Sequence, residues 1–435
     1  MQEILDLVKE YVAEKNSKNS WKTGNQVNYA GPVFDDKEYV AAIKTILDGW
    51  LGLGKSGTHF ESRFPRELGK KFGILTNSGS SANLLMYSAL KSKRSYNFPN
   101  GTKVLTPVAG FPTTINPIIQ LGFDPVFVDI ELNTLNLDLD KCEKLLKEHD
   151  IKVLSFAHVL GNPPNMDQVM YLVDKYSLVL LEDCCDALGS TYDGRRLGSF
   201  GIMASCSFYP AHHITMGEGG FVATNSTDIS TILKSLRDWG RGCYCQGSAA
   251  NNLACGTCGK RFSEWLPEFP GEIFDHKYVY EEIGYNLKPI EMQAAIGLEQ
   301  IKKLPMITES RRNNFDRMFD IYAPYEKFFI LPRSNDKADP SWFAFPLTLK
   351  DDCPFKRETL VNYLESNKIQ TRPYFAGNVL LQPAYSDQLK KYGNAFTNAT
   401  YVTLNTFFHG VSPVINEEQT NYIKTVVDKF MENYK

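Results

Sequence analysis

Nine cysteines lie in this chain of 435 residues, and their spacing is the first feature that invites chemistry. Cys243, Cys245, Cys255 and Cys258 crowd into one short stretch, while Cys184 and Cys185 are adjacent upstream. Clustered thiolates suit a tetrahedral zinc site or an iron–sulfur cluster, and spacing alone puts zinc ahead. A disulfide framework does not fit so few and so dispersed cysteines, behind an N-terminus (MQEILDLVKEYVAEKNSK) without a signal peptide's apolar core. Two other stretches carry reactive groups. In Leu178-Val-Leu-Leu-Glu-Asp-Cys-Cys-Asp an apolar run delivers Glu182 and Asp183 to its end, where a carboxylate either holds a protonated ring nitrogen or caps a helix. Ser207-Phe-Tyr-Pro-Ala-His-His-Ile-Thr-Met-Gly-Glu-Gly-Gly puts His212 and His213 in a glycine-rich loop, where imidazoles can move protons. Upstream, Thr76-Asn-Ser-Gly-Ser-Ser-Ala opens a helix with small residues. Its free N–H groups favour an anion, although an ordinary N-cap has the same composition.

These residues need a scaffold that brings strand ends together. From about 60 to 225, apolar runs alternate with helical patterns. Strands are expected at Lys103–Thr106, Pro125–Ile130, Val153–Ala157, Leu178–Leu181, Ala204–Phe208 and Gly220–Thr224, with helices at Ser81–Lys91, Leu139–His149 and Met166–Tyr176. The alternation predicts an α/β domain with a mostly parallel sheet, whose ligands sit at the carboxyl ends of the strands. Residues 226–241, 289–301 and 307–323 carry helical patterns, and 242–280 is an irregular, cysteine-rich excursion. The expected division is an N-terminal helix and arm over 1–34, a large domain over 35–305 and a small C-terminal α/β domain over 306–435. Ile4, Leu5, Leu7, Val8 and Val12 form the expected apolar stripe of the first helix.

Composition excludes several classes. Hydrophobic residues at 43% and charged residues at 22% describe a globular chain, not a disordered or coiled-coil one. Lys+Arg 47 against Asp+Glu 50 gives a net charge of −3, with no basic excess for nucleic acid. No apolar run is long enough for a membrane span, so a cytoplasmic protein is expected.

The three reactive segments, in this order, resemble the sugar aminotransferase/dehydratase group of fold-type I pyridoxal-phosphate enzymes. That group usually reads S-F-H-x-x-K-x-x-x-x-G-E-G-G, with a Lys that binds the cofactor covalently; here His212 stands at the Lys position. Gly284-Tyr-Asn-Leu-Lys-Pro-Ile-Glu-Met-Gln-Ala-Ala also fits the group, and the resemblance runs from about residue 35 to the C-terminus. It implies a fold-type I large domain with a small C-terminal domain. Without the Lys, the cofactor is expected as non-covalent pyridoxamine phosphate (PMP), with His212 as base and Asp183 at the pyridine nitrogen. Tyr209 and Phe343 stand where sugar aminotransferases usually carry His, which fits a C3 dehydratase.

Further assignments follow from the resemblance. Gly79, Ser80 and Ser207 are implied at the cofactor phosphate, Phe111 stacked on its ring, and Asp186 and Tyr209 nearby. Asn286 is implied to reach the phosphate of a neighbouring subunit, making the active unit a homodimer. Phe343 and His213 are candidates on the substrate side. Cys185 after Asp183, the C-x-C of Cys243 and Cys245, and Cys258 before Gly-Lys-Arg-Phe resemble the iron–sulfur form of the sugar 3-dehydratases. That form implies a [2Fe–2S] cluster on Cys185, Cys243, Cys245 and Cys258, with Cys255 as the alternative fourth ligand, and reverses the preference for zinc. It also implies a nucleotide-linked 4-keto-6-deoxyhexose as substrate (CDP-linked by resemblance), a place in dideoxysugar and lipopolysaccharide O-antigen synthesis, and an NAD(P)H-dependent flavin/iron–sulfur reductase as electron donor. The remaining alternatives are a relative with structural zinc and a non-catalytic scaffold that retains the fold.

Overall fold

The computed structural model describes residues 1–18, 20–243, 259–393 and 395–434. Seven strands form the central sheet: β1 (Phe72–Thr76), β2 (Lys103–Pro107), β3 (Asp124–Val128), β4 (Ile151–Ala157), β5 (Val179–Asp183), β6 (Met203–Ser207) and β7 (Gly220–Thr224). Their order is β1-β7-β6-β5-β4-β2-β3. β2 to β6 run parallel, and β7 is antiparallel to both β1 and β6. The sheet is covered on both faces because its strands feed alternate residues to two cores. Leu105, Leu154 and Leu180 join one core with Met166 and Phe60, while Val104, Val153 and Leu181 join the other with Leu85 and Leu233. Such two-sided burial is why these strands read as continuous apolar runs.

The small domain is a four-stranded antiparallel sheet in the order Phe329–Ile330, Ala344–Leu349, Thr406–Gly410, Thr371–Pro373. The two helical patterns at 289–301 and 307–323 are one helix, Glu291–Tyr322, which contains Pro305 and passes uninterrupted through the expected 305/306 boundary. A third core joins the domains, with Val108 and Phe127 from the large sheet packed among Phe343, Tyr374 and Phe408 of the small one.

At the N-terminus the apolar stripe is narrower than expected. Within the helix Gln2–Lys18, Leu5 and Val12 are buried, but Ile4 is 47% and Leu7 64% exposed. This helix packs on the helix Asp36–Leu47, which covers one line of its side chains. The helix expected over 226–241 ends earlier, spanning Thr227–Arg237. Arg237 is fully buried, held by Asp238 at 2.9 Å, by Glu61 and by the Leu75 carbonyl at 3.1 Å. Just beyond, Gly240 has φ +87, and a Cβ there would sit 1.8 Å from the Glu282 carbonyl oxygen. Only glycine permits that approach, and it brings Glu281 and Tyr285 against residues 236–240 at the root of the excursion. Among the described residues, no helix is long and apolar enough to cross a membrane.

Candidate active site

A cavity of about 590 Å³ opens over the carboxyl ends of the parallel strands, bounded on its other side by the small domain. Asp183 ends β5 and points into it. Strand alternation sends the preceding Glu182 to the opposite face. There Glu182 accepts from His158 Nε2 at 3.1 Å, Gly198 N at 2.8 Å and Gly201 N at 2.5 Å. Burial pushes its carboxyl up, but His158 and these donors pull harder and hold it below the usual carboxylate range. Glu182, His158 and Cys184 are close enough together to hold a metal ion. Yet the carboxylate's acceptor positions already face protein donors, and burial drives the Cys184 thiol well above its ordinary value, so the cluster reads as a structural knot.

Asp183 is clamped from the cavity side. Its Oδ2 accepts from Asn83 Nδ2 at 2.8 Å and Thr114 Oγ1 at 2.7 Å, and its Oδ1 accepts from Cys185 N at 3.0 Å. These bonds fix the direction in which the carboxylate faces the cavity. Asn83 and Thr114 were not singled out from sequence; each lies on the first turns of a helix that starts beside the cavity, Gly79–Lys91 and Pro112–Gln120.

The helix Gly79–Lys91 begins at the cavity wall, with Ser78 as N-cap accepting from Ser81 N at 3.1 Å. A Cβ on Gly79 would lie 2.5 Å from Ser207 Cβ and 3.2 Å from Cys185 Sγ. Glycine thus lets β6 close on the helix N-terminus, making a cradle of Gly79, Ser80 and Ser207 with free N–H groups for an anion. Phe111 lies on the wall, 52% exposed, with its ring perpendicular to that of Phe375 at a centroid distance of 5.9 Å. Cys185 also lines the cavity, and burial together with Asp183 pushes its thiol well above the ordinary value.

His212 lines the cavity with its Nδ1 3.4 Å from Asp186 Oδ1 and its ring 5.4 Å from that of Phe343. Burial raises the Asp186 carboxyl above the usual range despite the pull of His212. Tyr209 and Phe343 flank His212. His213 does not share the cavity, which corrects its place as a substrate-side candidate. Its Nε2 lies 2.7 Å from the Ser341 carbonyl oxygen, and burial, with the nearby Arg311 charge, holds it well below the ordinary imidazole value. Successive loop residues point oppositely here, and one of the two imidazoles became core.

Asn286 is likewise outside the cavity of its own chain. It pairs with Asp238 in an isolated bridge and accepts from Lys288 Nζ at 2.7 Å. Of the thiols implied as cluster ligands, Cys185 and the buried Cys243 are described, whereas Cys245, Cys255 and Cys258 lie outside the described residues. The cavity also holds Arg372, the one Lys or Arg among its described lining residues, stacked over the Tyr29 ring at 4.3 Å. Sequence gave no signal for Arg372, because it sits on an ordinary small-domain strand.

A mostly parallel seven-stranded sheet with one antiparallel strand, a small antiparallel domain and an anion cradle beside a clamped aspartate define a fold-type I, pyridoxal-phosphate-type enzyme. The chain belongs to the DegT/DnrJ/EryC1/StrS aminotransferase family, whose sequence model matches residues 34–429. It is 42% identical over 432 residues to the lipopolysaccharide biosynthesis protein RfbH of Salmonella typhimurium, covering 99% of this chain and 97% of that one. It is 40% identical to the dTDP-4-dehydro-2,6-dideoxy-D-glucose 3-dehydratase of Saccharopolyspora spinosa, covering 98% and 91%. Among solved structures, E. coli GDP-4-keto-6-deoxy-D-mannose-3-dehydratase with bound hydrated PLP superposes with a TM-score of 0.79 at 29% identity, over 93% of this chain and 100% of that one.

Proposed function

We propose that this protein removes the C3 hydroxyl of a nucleotide-linked 4-keto-6-deoxyhexose, carried on CDP, in dideoxysugar synthesis. The observation that carries the reading is His212: the loop that usually bears the covalent Lys presents an imidazole to the cavity, backed by Asp186 at 3.4 Å. The relatives named 3-dehydratases support the reaction class.

The residues present fit PMP. The cradle of Gly79, Ser80 and Ser207 would hold its phosphate, the exposed Phe111 its ring, and the clamped Asp183 its pyridine nitrogen. When bound, PMP supplies the amine that joins the sugar ketone and the ring that takes up an electron pair from C4′. The chain's own residues do the rest. Asp183 keeps the ring nitrogen protonated. His212 takes the C4′ proton and, as imidazolium, can return one to the leaving hydroxyl; Asp186 steadies that positive charge. Tyr209 and Phe343 shape the pocket around the sugar, and Arg372 faces its diphosphate.

Replacing C–OH by C–H consumes two electrons and two protons and releases water. A [2Fe–2S] cluster on Cys185, Cys243, Cys245 and Cys258 would pass such electrons singly from an NAD(P)H-dependent flavin/iron–sulfur reductase. Cys185 follows Asp183 by two residues, which supports an electron path beside the cofactor. Asn286, turned outward from its own cavity, is assigned to the phosphate of a partner subunit in a homodimer.

The test is hydrogen exchange at C4′ in deuterated buffer, with PMP and nucleotide sugar. His212→Asn should bind both and lower exchange by about 100–10,000-fold. Exchange at the wild-type rate in this variant would refute His212 as base.

A further inference from the structure

Arg311 is among the largest fully buried side chains, at 1% exposure; among the described residues no carboxylate lies within ion-pair distance of it, although the nearby Asp186 charge favours its ionised form. A guanidinium taken out of water needs compensation, and here four backbone carbonyls and the Asp186 charge provide it, while Nε has no hydrogen-bond partner. Its Nη2 donates to the carbonyl oxygens of Ala211 and His212, both at 3.3 Å. Its Nη1 donates to those of Trp342 at 3.2 Å and Phe343 at 3.0 Å. The first pair belongs to the loop that carries His212. The second leads into the small-domain strand Ala344–Leu349 and carries Phe343, whose ring lies 5.4 Å from the His212 ring. Arg311 itself projects from the helix Glu291–Tyr322, which runs from one domain into the other.

We infer that Arg311 is a positioning residue for proton transfer: its planar fork fastens the His212 loop of the large domain to the Phe343 segment of the small domain, fixing His212 over the cofactor site. The fork geometry matters as well as the charge. Two nitrogens on one rigid plane can serve two separate pairs of carbonyls, whereas a lysine ammonium is a single point at the end of a flexible stem. Asp186 lies 3.4 Å from His212 Nδ1, and the Arg311 fork holds the backbone from which that imidazole is presented.

This inference rests on His212 acting as the base, so Arg311→Lys is compared with His212→Asn under the same conditions. Arg311→Lys should slow C4′ hydrogen exchange by about 10–100-fold, as expected for misplacement of a reacting group by about an ångström. PMP affinity should change by less than about threefold, since the cradle is untouched. Raising PMP or sugar concentration should not restore the rate. A second readout needs no cofactor. In cofactor-free protein with labelled histidine, the ring resonance that disappears in His212→Asn should be a single narrow line in the wild type and broaden or split in Arg311→Lys. A merely structural role would lower the melting temperature while leaving exchange and the His212 resonance unchanged at temperatures well below it; that result overturns the inference. Should Arg311→Lys fail to fold, the wild-type protein still decides: unprotected backbone amide hydrogen exchange over residues 211–213 would contradict a fixed loop. Wild-type exchange in His212→Asn would instead refute the base assignment.

Discussion

Thr114 Oγ1 donates to Asp183 Oδ2 at 2.7 Å, from the start of one helix to the end of the central strand β5. A hydrogen bond to a charged group contributes about 1.5–3 kcal/mol. Thr114→Val keeps the side chain's shape and deletes the donor, leaving Asn83 to hold that oxygen alone. C4′ exchange should fall about 10–100-fold, on the scale of tenfold per 1.4 kcal/mol, with melting temperature little changed. An unaltered rate would show that Asp183 needs no clamp.

The identity of residue 212 decides covalency. Borohydride treatment of the protein with pyridoxal phosphate should leave no stable adduct at His212. His212→Lys should create one and reduce dehydration, since a nucleophile replaces the base. Peptide mapping by mass spectrometry reads both outcomes, and an adduct at His212 in the wild type contradicts non-covalent binding.

The thiols separate electron transfer from proton transfer. Cys185→Ser, Cys243→Ser and Cys245→Ser should each abolish or distort a visible iron–sulfur spectrum in anaerobically isolated protein, while C4′ exchange persists. Cys258→Ser should be severe and Cys255→Ser mild; the reverse reassigns the fourth ligand to Cys255. Zinc in place of iron in the same preparations would remove the reductive half of the proposal.

Stability should depend on acid through His409, in the small-domain core. Burial holds this imidazole down to about 3 from an ordinary 6.5, and its Nε2 lies 2.6 Å from Tyr322 Oη. Because the folded value is depressed, the unfolded chain binds the proton more readily. This contribution is fully present above pH 6.5 and is lost as the pH falls towards about 3. One proton corresponds to a slope of about 1.4 kcal/mol per pH unit. His409→Phe should flatten the acid limb of a denaturation series by that amount; an unchanged limb would show that another group titrates.

The sequence by itself determined six of the seven central strands and the order of the reactive segments, because two-faced burial forces apolar runs and small residues mark helix starts. It also carries the resemblance in which His212 stands where the family usually has Lys. Tertiary structure decided which neighbour on a strand or loop serves the cavity. Glu182 and Asp183 look equivalent in sequence, but alternation turns one into a buried knot with His158 and the other into the cavity. His212 and His213 part in the same way, since Ser341 claims His213. Asn83, Thr114 and Arg311 carry no local signal, because their partners lie 100, 69 and up to 100 residues away in the chain. Local pattern encodes burial and period, whereas the partner of a polar side chain is set by what the fold brings opposite it.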